Sequence, residues 1–558
     1  MDAGAPVSRQ GFAAGAESAS PARLAQIIES YLGDHPAAAV LEDGRAVFDM
    51  RLARYSVGES HGRCLLEVWS EERNLVRTVV DVKERSQCLR LVTRRMGVAK
   101  PQTLELVPTS DRRTPTARDT ARRNYLRLLE RVLSRHFIGA KVDGMRTAMD
   151  LEHSFGPAYA RGRLLKGSAA DAVIGVGDAE SASTIDGILT LGILWLDYCR
   201  NHGGARRHFG GLKVVVPVGA WRTTAERIAW LNHGAADFAL FTLDERSEEL
   251  MPVDFRDIGN LDSGLVHAFS PAAALDRCQS GIDRVLAFVP PAARERIEVR
   301  PHSATEVGLQ LHGLEFARVR HSASAHSFTR QEEVTFGAGA NETPLTEQNE
   351  PLCRNLFQRL FLSRHADGAH TDALFRMAPE RWLESRLRCG IAELLPEFRG
   401  DQLHSQVPAL STGDRGMLDL LTLDRNGRLV VLELKASEDL HLPLQAVDYW
   451  IRVRALNADR RAAPPACVPL SAFERKGYFA GAEVSELSPR LILAAPALRI
   501  HPANEIVLRY LSPEIEWEFI ALTEHWRREL KIVFRKRSRE RIPPKQEREL
   551  INRDADHP

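Results

Sequence analysis

The chain is expected to fall in the α/β class with a small β-rich unit at its start, and three observations carry that expectation. Apolar runs of strand length alternate with helical segments through residues 120–320 and again through 352–533, the order that yields helix-covered, largely parallel sheets. Between residues 36 and 108 the runs AVFDMRLARY, CLLEVW, LVRTVVDV, CLRLVTRR and TLELV alternate in polarity and are punctuated by Gly and Asp-Gly. That pattern fits a half-buried antiparallel sheet. Finally, two strongly apolar runs flank Asp424-Arg-Asn-Gly427, a hairpin turn inside the second α/β segment.

The 558 residues, 44% hydrophobic and 27% charged, suffice for about three or four domains that each bury a core. Residues 1–22 read as a disordered tail without the apolar stretch of a secretory signal, and Leu24–Leu32 as a short helix. A β-rich domain follows at 23–110, then an α/β domain at 120–320. The aperiodic Ser-, Thr-, Gly- and Glu-rich stretch 322–350 reads as the interdomain linker. A second α/β domain occupies 352–533, and 534–558 is a basic, disordered tail whose charge belongs to the patch Arg527–Arg541.

Seven scattered cysteines with no CxxC pair point to reduced thiols in a cytoplasm and away from zinc. No apolar run reaches the roughly 18 residues of a membrane span. A net charge of +1 decides nothing about nucleic acid, because local basic patches suffice to grip phosphate.

The chemistry lies in Gly416–Trp450. If Asp424 pairs with Arg428 across a three-residue loop, with Gly427 at the left-handed position, Asp419 lies opposite Glu433. Lys435, two residues further on, then shares their face. A two-residue Asn-Gly loop would instead put the acids on opposite faces. Ionised groups inside so apolar a strand are costly unless paired or bound to metal. Two carboxylates and a main-chain carbonyl make a hard oxygen site suited to Mg²⁺, with a lysine near to orient or deprotonate the attacking water. The competing reading is an edge hairpin with surface ions.

This segment resembles the RecB-like branch of the PD-(D/E)XK nuclease superfamily. It carries Gly416-Met-Leu-Asp419 as GxxD, Glu433-Leu-Lys435 as ExK, and Gln445-Ala-Val-Asp-Tyr449 as QxxxY, preceded by the helix PERWLESRLRCGIAELLP with Glu384. The resemblance covers a quarter to a third of the chain, from about Glu380 to Trp526, and implies a restriction-endonuclease-like domain. It implies that Asp419 and Glu433 ligate Mg²⁺, with Mn²⁺ an acceptable substitute. Lys435 would serve the attacking water and Glu384 would support metal or water. Gln445 and Tyr449, one turn apart on a helix, would contact nucleic acid, DNA more than RNA.

Residues 120–320 look like a second, degenerate copy of this unit, with its elements in the same order. A gap-free shift of 258 residues (419 minus 161) puts Arg161 under Asp419, Gly175 under Glu433 and Gly177 under Lys435. It also puts Gly187 under Gln445 and Leu191 under Tyr449, while Arg127 falls near Glu384. Without the acids no Mg²⁺ site remains, so this copy reads as inactive; its arginines could hold phosphate or pair with acids such as Glu152 or Asp186.

Two functions follow: a Mg²⁺-dependent nuclease, or a nucleic-acid-binding or assembly protein that retains the fold with little cutting. Neither Walker A nor GxGxxG is present, which disfavours a nucleotide enzyme of those kinds.

Overall fold

Alternation of apolar and polar residues builds the N-terminal part as one antiparallel sheet. Its seven strands lie between Ala39 and Val107, in the order 2-1-7-6-5-4-3 by chain position. Helix Pro21–Asp34 packs Leu24, Ile28 and Leu32 onto the face that carries Leu66, Val68, Leu91 and Leu104. The computed structural model describes residues 20–538 except 43–44, 52, 61, 71–73, 86–87, 95–100, 109–114, 151, 204–206, 258, 260–262, 324–329, 340–342, 412–413 and 464–465. The chain divides into two units, one ending at Arg123 and the other starting at Asn124.

The larger unit is mixed α/β. Its first sheet follows helix α1 (Pro115–His136) and comprises β1 (Lys141–Arg146), β2 (Tyr159–Lys166), β3 (Ala169–Val176), β4 (His208–Pro217), β5 (Asp237–Asp244) and β6 (Glu249–Val253). Helices α2 (Ile188–His202) and α3 (Arg222–Ile228) are the crossovers that bring β4 and β5 in parallel. The remaining neighbours, β1–β2, β2–β3 and β5–β6, are antiparallel.

Further along, helix α4 (Pro379–Leu394) leads into β7 (His404–Ser411), β8 (Asp414–Leu423), β9 (Leu429–Leu434), helix α5 (Leu442–Ala458), β10 (Arg490–Pro496), helix α6 (Pro502–Arg509), β11 (Trp517–Leu522) and β12 (Ile532–Arg537). The strand order and every parallel or antiparallel sense match the first sheet, β7 for β1 through β12 for β6. One short strand, Ser263–Leu265, adds to the β7 edge.

The crossover helices of both sheets share one core, in which Ile188, Ile193 and Ile228 join Val447, Trp450 and Val507. Just past α3 and α6, Leu231 and Leu511 form an antiparallel bridge. Asn232 donates to the Tyr510 carbonyl at 2.8 Å and Ser512 to the Trp230 carbonyl at 2.9 Å. Corresponding positions pairing with each other are what a two-fold relation between two like units produces.

The expected linker, 322–350, is not a linker in its described residues. Strands Leu314–Ala323, Arg330–Phe336 and Thr343–Pro344 join Ile297–Ser303 and Glu306–Leu311 in a five-stranded antiparallel sheet. Val319 pairs with Val334 facing a core shared with helices Pro271–Leu286 and Glu350–Ser363, while Arg320 and Glu333 pair on the other face. One solvated face makes such strands polar enough to read as loop. This insertion claims residues assigned to both α/β domains, whose boundaries contract accordingly. The basic end is structured as far as Ser538: Arg535 and Arg537 pair with the buried Glu518, and the rest of the expected tail lies outside the described residues.

Candidate functional site

The hairpin turn sets the site. Asp424 donates its N–H to the Arg428 carbonyl at 2.8 Å. Its carboxylate accepts from the N–H groups of Asn426 at 2.9 Å and Arg428 at 3.0 Å. Gly427 has φ 77° and lies so close to the Glu483 carbonyl that a Cβ would sit 2.3 Å from it. The loop therefore has three residues, and the ladder runs from Leu423↔Leu429 to Leu420↔Leu432. One step further, Asp419 faces Glu433, and its Oδ2 accepts the Leu434 N–H at 3.0 Å.

On the other side of Asp419 the β7–β8 ladder passes from Ser405↔Leu420 to Val407↔Leu418 and omits Gln406. Gln406 has φ 55°, a left-handed conformation uncommon for a side chain of its size and often found at functional sites.

Glu433 is 5% exposed, and its Oε2 has no hydrogen-bond partner. Burial, and then the neighbouring Asp419 charge, push its carboxyl well above the usual range. Asp419 is pushed up to about 6, chiefly by burial and further by Glu384, against the Leu434 N–H, Arg381 and Lys435. Two neighbouring, largely desolvated acids resist ionising together, and a cation between them removes that resistance. Lys435 lies 3.6 Å from Asp439 and 4.0 Å from Glu380. Burial would depress its pKa, but Glu380, Glu433, Asp439 and Asp419 outweigh it and hold the ammonium above its ordinary value.

Glu384, from α4, is buried beside this pair, yet its oxygens are already engaged. Oε2 accepts from Arg381 at 3.0 Å and Gln406 at 2.8 Å, and Oε1 from Arg300 at 3.4 Å. It fixes two arginines and Gln406 beside the carboxylates rather than offering open oxygens. Arg381, three residues before Glu384 on its helix, was within reach of sequence reasoning. Arg300 comes from the inserted sheet and left no local signal.

Gln445 and Tyr449 are half-buried on α5. Burial, followed by the charges of Glu433 and Asp419, raises the Tyr449 phenol, which places its hydroxyl in their field. Asp419, Glu433, Lys435, Glu384 and Tyr449 thus lie within one another's electrostatic reach, and Gln445 stands one turn before Tyr449 on the same helix. Among the described residues no cluster of three or more His, Cys, Asp or Glu side chains is poised on a metal. The donors present are the carboxylates of Asp419 and Glu433, with one Glu433 oxygen buried and unpartnered; hard oxygen donors of that kind fit a divalent ion that keeps several waters.

In the first sheet Arg161 does occupy the place of Asp419. It faces Ile174, which lies beside Val214, just as Glu433 lies beside Leu493. Gly175 and Gly177 do not occupy the places of Glu433 and Lys435. The β2–β3 loop has two residues, Gly167 and Ser168, where the β8–β9 loop has three. The shift therefore gains one residue, and Ile174 and Val176 take the two places on the α2 face. Gly175 faces α1, where a Cβ would meet Tyr125 and Leu129 at 2.6 and 2.7 Å. Arg127 is exposed and is no counterpart of the buried Glu384.

No protein-family model matches the chain, and no curated protein matches its sequence. Fold and site define an α/β protein with two sheets of like topology, one of which holds the buried Glu433 beside the half-buried Asp419. No described helix is long and apolar enough to cross a membrane.

Proposed function

We propose that the chain is a Mg²⁺-dependent nuclease of the PD-(D/E)XK type acting on DNA, with its active site in the second sheet and a degenerate partner in the first. The observation that carries this reading is Asp419 facing a buried Glu433 with an unpartnered oxygen, and Lys435 on the same strand face. Asp419 and Glu433 would hold the ion, which when bound polarises the scissile phosphate and lowers the pKa of water.

The chain's own groups define the rest. Asp419 and Glu433 give up protons as they take the cation, so binding weakens as pH falls. In the metal-free chain the carboxylates of Glu380, Glu433 and Asp439 favour the charged form of Lys435, which would orient the attacking water or a phosphate oxygen. Arg381 and Arg300, fixed by Glu384, offer guanidinium groups to phosphate. Gln445 and Tyr449 present α5 to the strand.

The alternative, a binding protein that no longer cuts, is favoured only by the first sheet, where the acids are gone. Incubation with labelled linear DNA, circular DNA and RNA, with Mg²⁺ or with EDTA, separates the two. Metal-dependent cutting of DNA supports the nuclease; strand binding without cutting supports the alternative.

A further inference from the structure

The first sheet carries charge at the place where the second carries its acids, and that charge is poorly matched. Arg146 on β1 and Arg161 on β2 are direct cross-strand partners, an arrangement that like charges make unfavourable. Arg163 stands two residues from Arg161 on the same face.

Arg161 is 0% exposed. Its guanidinium lies over the Phe155 ring at 4.5 Å, and one nitrogen donates to the Ala148 carbonyl at 2.8 Å. Its Nε and Nη1 have no hydrogen-bond partner, and neither does Nε of Arg146 or of Arg163. Burying an unpartnered guanidinium nitrogen costs the full desolvation of that donor, and here four such nitrogens gather on one sheet face. Burial, then the Arg146 charge, push the Arg161 guanidinium down to about 10, with Asp150 opposing. Asp150 opposes that charge without bonding to the orphaned nitrogens, its carboxylate being hydrogen-bonded to His153 at 3.0 Å. Arg146 and Arg163 are half-buried and give the cluster an outer side.

We propose that this face of the first sheet is an anion site whose ligand is a phosphate group, held by Arg146, Arg161 and Arg163. Phosphate fits because its oxygens accept several charge-assisted bonds at once from planar guanidinium edges, and because a dianion offsets the mutual repulsion of the arginines. The site does not depend on whether the second sheet cuts. The phosphate can come from a nucleic-acid backbone or from free phosphate.

The test uses the full chain in EDTA at constant ionic strength, so that the carboxylate pair stays metal-free. Inorganic phosphate is titrated calorimetrically into the parent and into Arg146→Gln, Arg163→Gln and Arg161→Met. Saturable binding by the parent is expected, weakened about tenfold or more in each of the two glutamine variants, the loss of one charge-assisted contact. Arg161→Met should abolish it; if that variant does not fold, the two half-buried positions decide. Displacement of a labelled single-stranded oligonucleotide by phosphate assigns the ligand to a backbone, and failure to displace it assigns it to free phosphate. Absence of saturable phosphate binding, or parental affinity in both glutamine variants, overturns the proposal.

Discussion

Arg227 of α3 forks onto Asp448 of α5 through two hydrogen bonds of 2.8 and 2.7 Å, tying the first α/β half to the helix that carries Tyr449. Arg227 is 6% exposed and also reaches the Asp186 carbonyl. Reciprocally, Arg509 of α6 lies 3.7 Å from Asp197 of α2. Removing one member of a buried pair strands the other's charge. Arg227→Ala is expected to cost about 3–5 kcal/mol in denaturant unfolding. A loss under about 1 kcal/mol, the scale of an exposed pair, would show that the two halves do not depend on it.

The carboxylate pair makes the metal-free protein pH-sensitive. Asp419 is raised from 3.8 to about 6 in the folded chain. Below the unfolded value both states are protonated; between the two values only the folded state keeps the proton. Its contribution to stability therefore falls as pH rises from about 4 to about 6 and stays low above that. Asp419→Asn is expected to be more stable than the parent at pH 7.5 in EDTA, by up to roughly 3 kcal/mol. Below pH 4 the difference should vanish, and Mg²⁺ should stabilise only the parent. Melting curves across this range check it, and a variant less stable than the parent at pH 7.5 would contradict it.

Gly427→Ala places a side chain at φ 77° and a Cβ 2.3 Å from the Glu483 carbonyl. The left-handed conformation alone costs about 1–2 kcal/mol, and the contact adds to that. Because this turn holds Asp419 opposite Glu433, the variant should also lose Mg²⁺-induced stabilisation. Equal metal response in parent and variant would mean that the turn does not set the site.

Tyr449 is half-buried, not sealed beneath the sheet, so its ring can meet a base. In a Glu433→Gln background, Tyr449→Ala is expected to weaken single-strand binding by about 1–3 kcal/mol, the scale of one aromatic–base stack. Fluorescence anisotropy reads this directly, and unchanged affinity would leave Tyr449 as a packing residue.

The sequence made these elements legible to different degrees. The β8–β9 register was readable because Asp424 and Gly427 admit few turns, and one of those turns makes a site. The repeat was readable from element order. Its register was not, because loops of two and three residues shift the alignment by one and so exchange the faces of a strand. That single residue moves the counterpart of Glu433 from Gly175 to Ile174. The strand Arg330–Phe336 escaped notice because its outer face is solvated. Arg300 escaped because it meets Glu384 only through tertiary packing, across 84 positions of sequence.

The most direct test of the central claim is single-turnover cleavage of labelled DNA by the parent and by Glu433→Gln, each with Mg²⁺ and with EDTA. The parent should cut only with Mg²⁺, and the variant should be slower by roughly three or more decades while remaining folded. Cutting that survives EDTA, a variant as fast as the parent, or no cutting by either protein would contradict the account.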